Sequence, residues 1–331
     1  MKRRRTVLAL LAGHLALGAA APLAVYAQQA GKIYRVGFLA GGGTPADGAV
    51  PAPLRKALHD LGYVEGKNVV YTGRWADAKL ARLPGLASEL VRLKVDAIVT
   101  IGGPPPEAAK KATTTIPIVM LLSGDAVATG LITSLARPGG NITGMSDEAS
   151  LLSAKRMEIL KELVPKATRI AILWNQDDHA MTLRYQEIQK AAQLLRVEVQ
   201  PLGVREPDDF ATAFSAMTGK LPDAIFLVAD ALTTLNRKRV LDFAATHRIP
   251  AMYEFASSVQ DGGLISYGAN AAESFKITAG YLDRIFKGTK PSDLPVQQPT
   301  RYELMINLKT ARALGVTIPL SVELRADRMI E

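Results

Sequence analysis

The side chains in this sequence best able to do chemistry are few, and their spacing does not suit catalysis. None of the 331 residues is cysteine, which removes disulfides, thiolate metal sites, cysteine nucleophiles and a lipid-bearing N-terminal cysteine. His14 falls in an apolar leader, and His59, His179 and His247 are far apart, without metal-ligand spacing. The chain has no Gly-x-Ser-x-Gly elbow and no phosphate loop ending in Gly-Lys-Ser/Thr. None of these residues invites catalysis, and no cofactor or metal is expected.

The remaining candidates suit the gripping of a small molecule. Gly42, Gly43 and Thr44, in the run Gly41-Gly42-Gly43-Thr44, could turn backbone N–H groups to a ligand without side-chain obstruction. The same run also reads as a plain turn, and Gly41-x-Gly43-x-x-Ala46 loosely fits a dinucleotide fingerprint. Against a dinucleotide, Pro45, Pro51 and Pro53 interrupt the passage into a helix, and the next strand ends at Arg74 instead of a ribose-binding acid. Gly102 and Gly103 precede three prolines and a short helix, whose N-terminus would favour an anion such as a carboxylate. Ser123 and Asp125 follow the fourth strand, where Asp125 could meet a ligand amine or cap a helix. In the second half, Trp174, Asn175 and Asp178 occupy the place matching residues 40–44. Trp174 could stack on an aromatic ligand or belong to the core. Asp230, Tyr253, Glu254 and Tyr267 end later strands and complete the set, with Asp230 also suited to capping.

Positioning these residues takes alternating strands and helices. Apolar β-type runs at 34–39, 69–74, 97–101, 116–121 and 142–145 alternate with segments of helical period. A second series runs 169–173, 197–202, 224–228, 249–253 and 264–267. The two halves resemble each other. The stretch 112–117 (Ala-Thr-Thr-Thr-Ile-Pro) returns at 245–250, an offset of 133; 35–39 returns at 169–173, an offset of 134; and Asp96-Ala97-Ile98 returns at 223–225, an offset of 127. Three matches in order predict two lobes of one topology. The fold class is α/β: two Rossmann-like αβα lobes with parallel sheets, joined by crossovers near 145–149, 258–263 and 293–298. The expected division is 1–27 as a signal peptide, 31–146 with 262–294 as lobe one, and 147–261 with 295–331 as lobe two. Ligands of such sheets sit beyond the carboxyl ends of the strands, here in a cleft between lobes.

Length and charge agree with this division, since 331 residues suit two domains. The formal charge of +9 includes Lys2, Arg3, Arg4 and Arg5. Setting those four aside leaves 36 basic residues against 31 acidic, or +5, with no continuous basic stripe, so nucleic acid is not an expected partner. The basic start, the apolar run to about residue 25 and the small residues of Val25-Tyr26-Ala27 predict a cleaved export signal ending after Ala27.

At the level of longer motifs the chain resembles the ABC transporter substrate-binding family that includes tryptophan- and tyrosine-type importer proteins. The resemblance rests on 61–69 (Leu-Gly-Tyr-Val-Glu-Gly-Lys-Asn-Val), 112–119, 129–144 with its Ala-Arg-Pro-Gly-Gly-Asn-Ile-Thr-Gly ending, 262–268, 293–300 and 307–319. It implies the type I periplasmic-binding-protein (Venus-flytrap) architecture. It also implies a monomer that captures a small solute in the periplasm for a membrane permease and its ATPase, with an amino acid or aromatic acid as the suggested solute. A periplasmic sensor docking on a membrane receptor would share the fold, and an exported Rossmann-type oxidoreductase is the more distant alternative. Two segments depart from the family pattern: Gly124-Asp125-Ala126-Val127 stands where Asp-Pro-Val is common, and Asn175-Gln176-Asp177-Asp178-His179 replaces an Asn-Pro pattern. Both fall where ligand contacts are expected, so the solute does not carry over from any relative.

Overall fold

A computed structural model describes residues 32–45, 50–147 and 149–331, with the side chains of 149 and 150 excepted. The expected signal peptide, the cleavage site after Ala27 and the second half of the glycine loop, 46–49, lie outside the described residues.

Short, fully buried apolar runs build two sheets. The first half folds as β1 (Tyr34–Ala40), α1 (Ala52–Asp60), β2 (Val69–Trp75), α2 (Leu83–Arg92), β3 (Ala97–Ile101), α3 (Pro104–Ala112), β4 (Ile118–Leu121) and β5 (Ile142–Gly144). The chain then enters α4 (Ala149–Leu163), β6 (Arg169–Asn175), α5 (His179–Leu194), β7 (Glu198–Val204), α6 (Asp209–Gly219), β8 (Ala224–Leu227), α7 (Ala231–Leu235), α8 (Arg237–Thr246), β9 (Ala251–Tyr253), α9 (Ala256–Gln260) and β10 (Ile265–Ala269). It ends with α10 (Ala271–Phe286), β11 (Tyr302–Asn307), α11 (Leu308–Leu314), α12 (Leu320–Glu323) and β12 (Arg328–Ile330). All four residues of β4 and of β8 are buried, as parallel strands covered on both faces require. The helices bury one stripe each, such as Leu83, Leu86, Ala87 and Leu90 on α2.

Sheet one has the order β2-β1-β3-β4-β5, all parallel, and sheet two repeats it as β7-β6-β8-β9-β10. The sequence repeats mark equivalent joints. Asp96 takes the Arg35 N–H at 2.8 Å, and Asp223 takes the Arg169 N–H at 2.9 Å. The Pro117 carbonyl accepts from Ile98 at 2.8 Å, and that of Pro250 from Ile225 at 2.9 Å. Each Ile-Pro opens a central strand at a position where the missing N–H costs no ladder bond. Sheet two is longer: β11 adds antiparallel to β10, and β12 parallel to β11. Apolar cores cover both faces of each sheet.

The lobe boundaries differ from expectation at the return crossing. Residues 265–269 are not lobe one but the fifth parallel strand of lobe two, the counterpart of β5. The second crossing therefore follows at 269–271, and α10 buries Ala279, Tyr281 and Leu282 in the lobe-one core beside Val36 and Phe38. At the third crossing Leu294 packs in lobe one as expected, and Val296, expected in lobe two, packs there as well. All three crossings are tied together. Ser146 N–H donates to Gln297 O at 3.0 Å, Gln297 N–H to Gly144 O at 2.9 Å, and Asn270 N–H to Arg301 O at 3.2 Å. Gly144, at φ +125°, permits this packing, because a Cβ there would lie 2.2 Å from the Met120 carbonyl oxygen.

Candidate functional site

The carboxyl ends of the strands from both lobes converge on a cleft of about 340 Å³. Lobe one supplies the turn after β1 (Gly41, Gly42, Gly43), Trp75 at the end of β2, Gly102 to Pro105 leading into α3, and Leu122 after β4. Lobe two supplies Asp178, Met181 and Arg184 from the start of α5, residues 229–231 with Thr234 and Leu235 around α7, and Phe255 after β9. Asp147, on the first crossing, closes one side. The walls are mainly apolar, from Trp75, Leu80, Ile101, the prolines, Met181, Leu235 and Phe255.

The lobes meet at glycines. A Cβ on Gly41 would lie 3.1 Å from the Ala231 Cβ, and one on Gly43 only 2.8 Å from the Leu235 Cδ2. Gly103 similarly faces Ala180 and the Asp178 carboxylate, at 3.3 and 3.6 Å from a built Cβ. Glycine in these loops thus lets α7 and α5 approach closely.

Charge is concentrated on the lobe-two side. Arg184 Nη1 donates to Glu254 Oε2 at 2.9 Å, and its Nη2 lies 3.7 Å from Asp147 Oδ2. Arg156 Nη1 is 3.4 Å from the same Glu254 oxygen, and its Nε donates to the Tyr267 carbonyl at 2.6 Å. Glu254 Oε1 accepts from the Ala229 N–H, and Asp147 Oδ1 from the Gly124 N–H at 2.6 Å. Both arginines and Glu254 are buried, so the network depends on this mutual pairing. Burial works against the Arg184 cation, but Glu254 and Asp147 outweigh it and raise its pKa. Burial raises the Asp147 carboxyl despite Arg184. Asp178 is pushed up to about 6, first by burial and then by the negative charge of Asp230, with Arg184 and the α5 amides opposing.

Of the residues singled out in the sequence, Gly42, Gly43, Gly102, Gly103, Asp178 and Asp230 line the cleft. The others lie elsewhere. Thr44 turns to Asp77, with its N–H 3.1 Å from Oδ1. Ser123 is buried against the first crossing, donating to the Met145 carbonyl at 3.2 Å. Asp125 caps its own turn by accepting from the Ala128 N–H at 3.0 Å. Trp174 lies in the lobe-two core, stacked on Tyr185 with ring centroids 3.8 Å apart. Asn175 stands behind the cleft wall, donating to Asp230 Oδ2 at 2.6 Å. Tyr253 is a core residue whose hydroxyl pKa burial raises, Glu254 lies beneath Arg184, and Tyr267 packs toward Tyr302. The physical reason is common to the four strand residues: a side chain on a covered sheet faces one of its two cores, whereas the loop beyond the strand faces the cleft.

The expected anion site at α3 also changes character. Pro104, Pro105 and Pro106 fill its first turn, and proline carries no amide hydrogen to give a carboxylate. Among the residues not foreseen are Asp147, Met181, Arg184, Trp75, Leu80 and Phe255. A trace of them was present, because Asp178, Met181 and Arg184 recur every three residues and so share one face of α5. Among the described residues no group of three or more His, Asp or Glu side chains is arranged to hold a metal ion, and no helix is long and apolar enough to cross a membrane.

The profile of the ABC transporter substrate binding protein family matches residues 45–330. The chain belongs to this family. As a substrate-binding protein it is 32% identical, over 262 residues, to the tyrosine-binding protein of Clostridioides difficile (strain R20291), covering 79% of this chain and 75% of that one. It is similar in structure to an ABC domain in complex with L-Trp from Streptococcus pneumonia, with TM-score 0.82, 25% identity, and coverage of 90% of this chain and 100% of that one. A second likeness is the ligand-free, open structure of a substrate binding protein with adhesive properties from Clostridium difficile, with TM-score 0.63, 26% identity, and coverage of 90% and 99%. The two-lobed architecture is that of the type I periplasmic binding proteins.

Proposed function

We propose that this substrate-binding protein is the extracytoplasmic capture subunit of an ABC importer, taking an amino acid with a large apolar or aromatic side chain. It would deliver that solute to a membrane permease and its ATPase, without chemistry on the solute. The observation that carries the proposal is the cleft: apolar walls from both lobes enclose a small volume, and a few charged groups, Asp147, Asp178, Arg184 and Asp230, line it. Gly42, Gly43, Gly102, Gly103, Asp178, Asp230 and Asp147 are the proposed contacts, with Arg184 placed against Asp147 and Glu254. Hinge closure is the proposed mechanism, because a solute touching both lobes favours the state in which they meet. Its support is the close approach of Gly41 and Gly43 to α7. A further support is the better match to the L-Trp complex than to the open, ligand-free relative at nearly equal identity and coverage.

The test is thermal unfolding of the mature protein, stripped of bound solute, across the common amino acids. A ligand at 100 times its Kd adds about 2.7 kcal/mol to stability, so L-tyrosine, L-tryptophan or another apolar amino acid should raise Tm clearly. Absence of any such rise across the whole set defeats the proposal.

A further inference from the structure

Helix N-termini and arginines are the usual receptors for a ligand carboxylate, and at this cleft they are largely engaged by the protein's own acids or lack amide hydrogens. At α5 the Asp178 side chain accepts the Ala180 N–H at 2.9 Å, so the helix end is satisfied by its own residue. At α7, Asp230 accepts the Thr233 N–H at 2.8 Å and Thr233 closes a reciprocal box. At α3, three prolines remove the amide hydrogens of the first turn. The Ala229 N–H, just before α7, goes to Glu254. Among the described residues one arginine lines the cleft: Arg184 is held by Glu254 through Nη1, has Nη2 3.7 Å from Asp147, and keeps Nε buried without a hydrogen-bond partner.

What the cleft does offer is carboxylate. Asp147, Asp178 and Asp230 line it. Behind them Glu254 pairs with both Arg156 and Arg184, and Asp147 with Arg184, so the four acids here outnumber the two guanidiniums. Burial and the proximity of Asp230 raise the Asp178 carboxyl and outweigh the pull of Arg184, which Glu254 and Asp147 share.

We infer that this cleft reads the ammonium end of its solute, through Asp178 with Asp230 and Asp147, and gives the solute carboxylate no charged partner, so that its substrate class extends to aromatic amines lacking a carboxylate. The inference rests on the amino-acid reading above and names which end of the molecule is recognised. Because Asp178 lies against Gly103 of the opposite lobe, an ammonium on it touches both halves of the cleft.

Calorimetric titration of the stripped mature protein with three matched compounds tests this: L-tyrosine, tyramine, and 3-(4-hydroxyphenyl)propanoate, with L-tryptophan, tryptamine and indole-3-propanoate as a second series. Tyramine or tryptamine should bind within ~10-fold of its parent amino acid, and the matching propanoate ~100-fold or more weaker. Propanoate binding as tight as the amine overturns the inference, and so does loss of both analogues beyond ~100-fold. Failure of both parent amino acids would instead sink the aromatic amino-acid reading. As a control on the residue, Asp178→Asn should weaken binding of amine and amino acid alike by ~100-fold in a protein that still unfolds cooperatively; undiminished binding also overturns it.

Discussion

Replacing Asp178 by Asn separates the role of its charge from that of its shape. The side chain is 4% exposed, caps α5 and has its carboxyl raised from 3.8 to about 6. A raised carboxylate pKa means that the folded state resists ionisation more than the unfolded chain does. The penalty is complete above pH 6 and disappears as the pH falls toward the unfolded value. A shift of about two units at ~1.4 kcal/mol each amounts to ~3 kcal/mol at pH 8. Asn caps a helix about as well as Asp, so the variant removes the penalty and keeps the cap. Ligand-free Asp178→Asn protein should therefore be more stable than the parent by roughly 2–3 kcal/mol at pH 8, with the gain shrinking to about 1 kcal/mol at pH 4.5. Solute affinity should fall by about two orders of magnitude, since one partner of a buried ion pair is gone. Urea unfolding at the two pH values, with titration calorimetry at pH 8, measures both. A loss of stability at pH 8, or a gain that does not change with pH, would refute the reasoning.

Two further substitutions probe the meeting of the lobes and the charge network. Gly43→Val puts a branched side chain where a Cβ already comes within 2.8 Å of Leu235; affinity should drop roughly 10-fold through overpacking of the closed arrangement, with the unfolding of ligand-free protein nearly unchanged. Small-angle scattering with and without solute should then show a smaller compaction than in the parent, and an equal compaction would count against the glycine contact. Glu254→Gln leaves the buried guanidiniums of Arg156 and Arg184 without their shared anion, and stability at neutral pH should fall by about 3–5 kcal/mol. A change below ~1 kcal/mol in urea unfolding would show that the arginines find other partners.

The duplication was legible because its repeats perform backbone tasks. Asp96 and Asp223 each clasp the N–H of an arginine on the neighbouring first strand, and the two Ile-Pro joints make matching bonds. Ten of the strands show in the sequence as apolar runs. The exceptions are β11, with its half-buried start, and β12, which has only three residues. The site was legible where loops carry it, at Gly42, Gly43, Gly102 and Gly103, and at the two capping aspartates. It was not legible where a charged side chain is buried on a helix face. Arg184 reads as a solvated residue until Glu254, 70 positions away in sequence, is seen beneath it. Residues at strand ends misled for the opposite reason: Trp174, Tyr253 and Tyr267 have chemistry a ligand could use, but the sheet turns them into its own cores.

The hydrogen bonds among the three crossings have a mechanical consequence. Residues 297–301 run between the first crossing, at Ser146, and the second, at Asn270, bonded to both. The lobes are thus joined by a laced strap instead of three independent threads, and a strap bends across its flat more readily than it slides or twists along its length. Under the proposed hinge closure such a strap would favour a single swing, and one distance, between the tips of the two halves, would then distinguish an occupied molecule from an empty one.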